Sequence, residues 1–324
     1  MRERAALVTI IRTEGSTFRR VGAAMLVHET GAIINTLSGG CPERDLVDRA
    51  REVMDSGNIR YVGYNEEQGL DLLLEMGCGG TLEVAIEPFN SCDDLQFLPF
   101  LEDALQAGRA FMMSTIFPPS GSTDRPRRNF DRRAVDITGG SIPAGTAVCD
   151  IRDHGQVVLI ESFRAPVCLV IAGASEEARQ LADVASRLGW RGTIVDSSSE
   201  RLGALATLAP GWTSMISHPE TIHLNVPLDE NTAFVTMTRN LAQDIAYLRA
   251  GSDAGAFYLG ALGSRERAHL IRARVDSPSL RVPAGLDVGS NTPGEIALAV
   301  VAEIMAARHG RTGTSLSVID GPLH

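Results

Sequence analysis

The sequence predicts an α/β protein in two parts: an N-terminal mixed α+β domain, followed by a Rossmann-like doubly wound parallel sheet. Three observations carry this expectation. From Val167 onward, short apolar strands alternate with helix-length amphipathic segments, the pattern of a parallel sheet covered on both faces. Before that point, strands are joined by glycine-marked turns and interrupted by helices without regular alternation. The 324 residues are also long for one core, which favours two domains. The expected boundaries are 1–163 for the first domain, 164–310 for the second and 311–324 for a C-terminal tail.

In chain order, Ala5 to Ile11 is an apolar strand, followed by a polar loop through Gly22. Ala23 to Val27 and Ala32 to Leu37 form a hairpin around Glu29-Thr30-Gly31. Pro42 to Ser56 carries Leu46, Ala50, Val53 and Met54 at helical spacing and stops at Gly57. Asn58 to Tyr64 and Thr81 to Phe89 are strands, and Asp93 to Ala107 is a helix ended by Gly108. Arg109 to Phe117 is a strand. Pro118 to Gly140 reads as a long solvated loop that gathers Arg125, Arg127, Arg128, Arg132 and Arg133. Gly145 to Ile151 and Gln156 to Glu161 make a hairpin around His154-Gly155.

In the second part, strands at Val167–Ala172, Thr193–Asp196, Thr213–Ser217, Ala233–Met237 and Ala256–Gly260 alternate with helices at Glu176–Leu188 and Leu241–Ala250. Another helix follows Gly263-Ser264-Arg265. Thr292-Pro293-Gly294-Glu295 opens a long helix through Met305, with Pro293 suited to its first turn.

Composition narrows the function. Hydrophobic content of 44% with 22% charged residues is ordinary for a globular protein, and a net charge of −10 argues against nucleic acid as a partner. No lysine occurs, which removes P-loop, Schiff-base and kinase-type lysine chemistry. No apolar run spans a bilayer, no signal peptide opens the chain, and five cysteines form no closely spaced even set. A cytoplasmic protein with reduced thiols and no membrane association is expected.

Two glycine-framed cysteines stand out: Ser38-Gly39-Gly40-Cys41 at a strand-to-helix turn, and Gly77-Cys78-Gly79-Gly80 before a strand. A thiol at a helix N-terminus has its thiolate favoured by the dipole. Such turns suit an anionic or soft ligand; they equally suit two tight turns with buried cysteines. In the second domain a dinucleotide fingerprint would need G-x-G-x-x-G, but the chain has Gly173-Ala174-Ser175-Glu176-Glu177-Ala178. Ser175 hinders approach of a pyrophosphate, and Glu176 and Glu177 repel phosphate, so NAD is not the expected ligand. Asp196 stands where a ribose hydroxyl is held, or else caps a helix. Arg265 suits an anion at the strand ends or a surface charge, and Asp287 a turn or a ligand. His28, His154 and His218 fall in turns with no evident partner.

Taken together, these stretches resemble the xanthine dehydrogenase accessory protein family (XdhC/CoxI), of which the chain is identified as a divergent member. The resemblance rests on Glu14-Gly15-Ser16 with Gly22 and Met25-Leu26-Val27, on both glycine-cysteine motifs, and on Thr81-Leu82-Glu83-Val84. It continues through Tyr258-Leu259-Gly260, Leu262-Gly263-Ser264-Arg265, Gly285-Leu286-Asp287-Val288-Gly289, and Thr292-Pro293 with Glu295-Ile296-Ala297. The chain departs from the family at Phe18 and Val21, where prolines are usual. It departs again at Ser175-Glu176, where Gly-His is usual, and at Met237, where histidine follows the threonine.

The resemblance implies a non-catalytic chaperone that binds molybdenum cofactor (molybdopterin) and supports its sulfuration with a cysteine desulfurase. It would hand the cofactor to a molybdenum hydroxylase and act as a homodimer. Cys41 and Cys78 would lie near the molybdenum or pterin. Gly39, Gly40, Gly77, Gly79 and Gly80 would offer amides, with Ser16 and Ser38 as further cofactor-binding candidates. Gly173, Asp196, Gly263, Ser264, Arg265 and Asp287 are the candidates on the Rossmann side. A nicotinamide- or nucleotide-dependent oxidoreductase is the alternative. A redox or zinc module built on Cys41, Cys78 and a histidine is a third reading, without a CxxC or HExxH motif to support it.

Overall fold

The computed structural model describes residues 3–15, 19–37, 42–64, 81–131, 145–152, 156–205 and 207–319. The chain divides into two compact units, Met1–Ala165 and Pro166–His324.

The first unit contains β1 (Ala5–Glu14), β2 (Ala24–His28), β3 (Ile33–Ile34), α1 (Pro42–Ser56), β4 (Arg60–Tyr64) and β5 (Thr81–Phe89). After a 3₁₀ turn at Cys92–Leu95 come α2 (Leu98–Gln106), β6 (Phe111–Phe117), β7 (Arg127–Asp131), β8 (Ala147–Arg152) and β9 (Gln156–Phe163). Two antiparallel sheets result, in the orders β3-β2-β1-β5-β4 and β7-β6-β9-β8. Period-2 alternation gives the first sheet two apolar faces. Val8, Ile10, Val84 and Ile86 pack under Leu46, Ala50 and Val53 of α1. Ile11 and Ala85 face Phe117, Val157 and Leu159 of the second sheet.

Four local expectations are corrected. Strand Ala32–Leu37 shrinks to Ile33–Ile34, because Asn35 adopts a left-handed φ of 66° and donates its side-chain amide to the Ala24 carbonyl. Helix 93–107 is two pieces, since Pro99 has no N–H to continue a helix from the 3₁₀ turn. The loop 118–140 contains β7, where Arg128 and Phe130 turn inward while Arg127, Asn129 and Asp131 are exposed. Arg125 is held by Asp93 and Asp94 and Arg128 by Glu87, so neither is a free surface charge. Arg132 and Arg133 lie outside the described residues. His28, too, has partners: its Nδ1 lies 2.8 Å from the Thr30 hydroxyl and its Nε2 3.8 Å from Glu3.

The second unit runs β10 (Cys168–Ala172), α3 (Glu176–Ser186), β11 (Arg191–Asp196), α4 (Ser199–Gly203), β12 (Trp212–Ile216), α5 (Ile222–Asn225) and β13 (Thr232–Thr236). It continues with α6 (Leu241–Asp253), β14 (Tyr258–Ala261), α7 (Arg265–Arg272), β15 (Leu280–Arg281) and α8 (Pro293–Arg308). The strands form one parallel sheet in the order β12-β11-β10-β13-β14-β15. Its strand order reverses between β10 and β13, the place where doubly wound sheets open a ligand crevice. Leu169 and Ile171 pack under α3 and α8, and Val170 and Ala172 under α6 and α7. Covering both faces is what the uninterrupted apolar run of β10 requires. From Arg311 the described chain has one 3₁₀ turn, Leu316–Val318, and Gly313 passes against Leu286.

Gly192 sets the closest approach in this sheet. A Cβ there would lie 2.0 Å from the Leu169 carbonyl oxygen and 2.7 Å from the Trp212 ring. Gly192→Ala is expected to destabilise the second unit by about 3 kcal/mol through overpacking. Denaturant unfolding followed by tryptophan fluorescence measures this, since Trp190 and Trp212, the two tryptophans of the chain, both belong to this unit.

Candidate functional site

The crevice at the carboxyl end of β10 begins at Gly173, whose φ is 111°. A Cβ there would stand 2.7 Å from the Met237 carbonyl, so the residue has to be glycine for two reasons. Ser175 then caps α3, its hydroxyl accepting from the Ala178 amide at 3.3 Å and contacting the Met237 sulfur at 3.6 Å. Glu177 bonds its own amide, and with the Ser175 hydroxyl this lowers its pKa. Glu176 is turned to Arg179, and together with Gln180 this holds its carboxyl at about 2. The helix N-terminus is thus served by its own side chains, two of them carboxylates.

Asp196 closes the crevice at the end of β11. It is 3% exposed and accepts from the Ala174 and Ser198 amides, each at 2.8 Å. Arg201 adds Nη2 at 2.6 Å and Nε at 3.0 and 3.1 Å. Burial pushes this carboxyl up, but Arg201 and the two amides outweigh it, and the net pKa is lowered. Both oxygens are engaged, which leaves a ribose diol no ready acceptor. The fold implies a dinucleotide, and neither Ser175 nor Asp196 as placed here fits one.

Beyond the switch point, Asp244 is fully buried. It accepts from the Thr238 hydroxyl at 2.7 Å, the Thr238 amide at 3.1 Å and Arg267 Nη2 at 2.6 Å. Ser264 caps α7 through the Arg267 amide at 3.2 Å, and Gly263 has a φ of 148°. Arg265 is exposed and forms no ion pair among the described residues, whereas Arg267, which the sequence did not single out, is the inward arginine. The i+3 spacing of Arg267 from its Ser264 cap was the available signal. Thr236 is buried with its hydroxyl unpartnered. Asp287 lies on an exposed turn, and no hydrogen bond among the described residues joins it to Gly173, Asp196 or Gly263.

In the first unit, Ser16, Ser38, Gly39, Gly40, Cys41, Gly77, Cys78, Gly79 and Gly80 lie outside the described residues. Their described flanks converge. Glu14 pairs with Thr81 and Tyr64 with Leu82 at one end of the first sheet. Tyr64 donates its hydroxyl at 2.5 Å to Asp45 in the first turn of α1, and Arg49 Nε binds the same carboxylate oxygen at 2.6 Å. Burial pushes the Tyr64 phenol up, as does its bond to Asp45. The described thiols offer little: burial pushes Cys149 up to about 11 and raises Cys168, while Cys92 is simply exposed. No group of three or more histidine, cysteine or acidic side chains is placed to hold a metal among the described residues. No helix among them is long and apolar enough to cross a membrane.

These features define a two-unit protein with an antiparallel domain and a Rossmann domain whose crevice is self-ligated. Known proteins of this kind exist. Residues 169–304 match the XdhC Rossmann domain, and residues 1–65 match the XdhC and CoxI family. The chain is 26% identical over 312 residues to a probable xanthine dehydrogenase subunit from Bacillus subtilis, covering 94% of both. It is 27% identical over 315 residues to the molybdenum cofactor insertion chaperone PaoD of Escherichia coli, covering 94% of this chain and 83% of that one. The crystal structure of a xanthine dehydrogenase from Bacillus halodurans superposes with a TM-score of 0.77 at 25% identity, over 97% of this chain and 94% of the other. The chain belongs to the XdhC and CoxI family.

The Asp196–Arg201 pair yields a pH prediction. A carboxylate with a lowered folded pKa adds stability above its unfolded value of 3.8, and that stability is lost as pH falls through the folded value. Arg201 is half exposed, so Arg201→Ala should cost about 1 kcal/mol at neutral pH. The difference from wild type should shrink as pH drops below 3.8, and urea unfolding at neutral and acid pH measures it.

Proposed function

We propose that this protein is a molybdenum-cofactor-binding accessory protein. It supports sulfuration of the cofactor and its insertion into a molybdenum hydroxylase of the xanthine dehydrogenase or CO dehydrogenase type. The observation that carries this reading is the convergence of Glu14, Tyr64, Thr81 and the first turn of α1 at one end of the first sheet. The chain enters and leaves the Ser16, Cys41 and Cys78 stretches from these residues. The name of the Escherichia coli relative, a molybdenum cofactor insertion chaperone, supports the cargo.

In this reading the cofactor is cargo. Cys41 and Cys78 supply thiolates to the molybdenum or pterin, and Gly39, Gly40, Gly79 and Gly80 supply amides to anionic oxygens. The chain's own chemistry is to bind, orient and shield; no turnover is assigned to it. Its partners are a cysteine desulfurase and the hydroxylase, it acts in the cytoplasm, and it works as a homodimer. NAD is not its ligand. That statement is supported by the Ser175 cap, the acidic first turn of α3 and the saturated Asp196 carboxylate. The same three features weigh against a nicotinamide-dependent oxidoreductase.

Molybdenum and pterin content, measured after co-production with an active cofactor pathway, tests this function. Wild type should carry near-stoichiometric cofactor, and Cys41→Ala or Cys78→Ala should lose most of it while keeping wild-type thermal unfolding. Wild type lacking both molybdenum and pterin, yet binding NAD(H) saturably, would sink the reading in favour of the oxidoreductase.

A further inference from the structure

The layer between the two sheets of the first unit is apolar at one end and charged at the other. Ile11, Ile59 and Ala85 meet Phe117, Val157 and Leu159 at the apolar end. Strand alternation puts Glu87 on the face of Ala85, and Glu161 on the face of Val157 and Leu159. Across β6, Arg128 pairs with Thr115 and Glu161 with Met113, so Arg128 and Glu161 share the inner face of the second sheet. Their backbones are separated by two strands and two residues, roughly 12 Å, which the two side chains together can span.

Arg128 and Glu87 are both over nine-tenths buried, and Arg128 donates to Glu87 through Nη2. This bond joins the two sheets. The Arg128 guanidinium also lies 4.2 Å over the Phe97 ring. Its Nε is buried without an acceptor, while Glu161 has neither a hydrogen bond nor an ion pair among the described residues. One spare donor, buried, and one spare carboxyl, half-buried, therefore belong to the same layer, and two carboxyls compete for one cation.

We propose that Arg128 is the arm of a two-position ion-pair switch. With Glu161 protonated, Arg128 latches the sheets together through Glu87. When Glu161 releases its proton to solvent, Arg128 turns its free Nε to Glu161, within the second sheet, and leaves Phe97 and Glu87; Glu87 stays ionised at the wall of the cleft it lines, so the exchange releases one proton in all.

The surrounding groups agree with this assignment. Burial pushes Glu161 up to about 7, with Arg128 pulling down and Glu87 adding to the rise. Burial also raises Glu87, against the pull of Arg128, and Asp94 adds to it. Tyr61 of β4 and Cys149 of β8 are pushed up by burial and stay protonated and neutral. Gly22, which lies against Glu161, and Met113 and Ala147, which pair with it across the sheet, carry no charge. Arg125 is occupied by Asp93 and Asp94, and Arg164 lies against Gly145. The sign follows. The latched form prevails below about 7, and the exchanged form above it. Arg128, Glu87, Asn90, Phe97 and Phe130 line a cleft of about 750 Å³, so the exchange remodels its wall.

The test uses the full chain from about pH 5.5 to about pH 8.5. It combines a ¹³C-carboxyl titration with hydrogen exchange of residues 87–97 and 127–131, corrected for intrinsic amide rates. The resonance lost in Glu161→Gln should titrate near 7, and exchange in both segments should rise at least about threefold above that midpoint. Glu161→Gln should hold the slow, low-pH exchange throughout, and Glu87→Gln the fast exchange. A wild-type midpoint near 4.5, or an exchange step that survives in Glu161→Gln, overturns the switch. Should the variants fail to fold, sequential assignment of the wild-type resonance and the presence or absence of its exchange step decide the matter.

Discussion

Asp196 spends its acceptor capacity on its own chain, and the carboxyl edge of the parallel sheet depends on that. A buried carboxylate is costly unless charge and hydrogen bonds compensate it. Here the Ala174 amide, the Ser198 amide and the Arg201 guanidinium do so at once. Through them one side chain ties the β10–α3 turn to the end of β11 and to the start of α4. The same oxygens are those a ribose would need.

The pattern recurs along the second unit. Asp244 joins the turn after β13 to α7 through Thr238 and Arg267. Glu303 on α8 accepts from the Tyr258 hydroxyl at 2.6 Å and the Gly285 amide at 2.9 Å, joining β14 to the turn before α8. Each acid takes its hydrogen bonds from within the chain, Glu303 through one oxygen alone. The first unit differs. Its Tyr64–Asp45–Arg49 cluster fixes the first turn of α1 against the end of β4.

Much of the architecture was legible because it rests on periodicity. The wholly apolar β10 announced a strand covered on both faces, and Thr292-Pro293 with Glu295 announced the capped start of α8, where a full capping box forms. What escaped depended on partners distant in sequence. β7 looked like a basic loop, because nothing in Arg127-Arg128-Asn129 reveals that Glu87, 41 residues away, neutralises one of the arginines. Asp196 was visible as a strand-end acid, but its occupation by Arg201 was not. Arg265 and Arg267 flank the same glutamate, and only the packing of α7 against Asp244 decides which turns inward. Asn35 and Pro99 were in plain view, and their effects on β3 and α2 follow from local chemistry that the apolar pattern masked.

The absence of lysine has a counterpart in these hubs. Glu87, Asp196 and Asp244, all buried, take their cationic partner from Arg128, Arg201 and Arg267 respectively. A guanidinium presents several donors in a fixed plane, so it can bind both oxygens of one carboxylate, as Arg201 does, or stack on a ring while bonding an acid, as Arg128 does. An ammonium is a more strongly hydrated point charge and would hold each acid without fixing its orientation. The planar fork also explains how one cation can serve two ends of a site. Arg128 bonds Glu87 with Nη2 and still carries an unused Nε donor. Geometry of this kind makes a buried arginine a joint as well as a counter-ion.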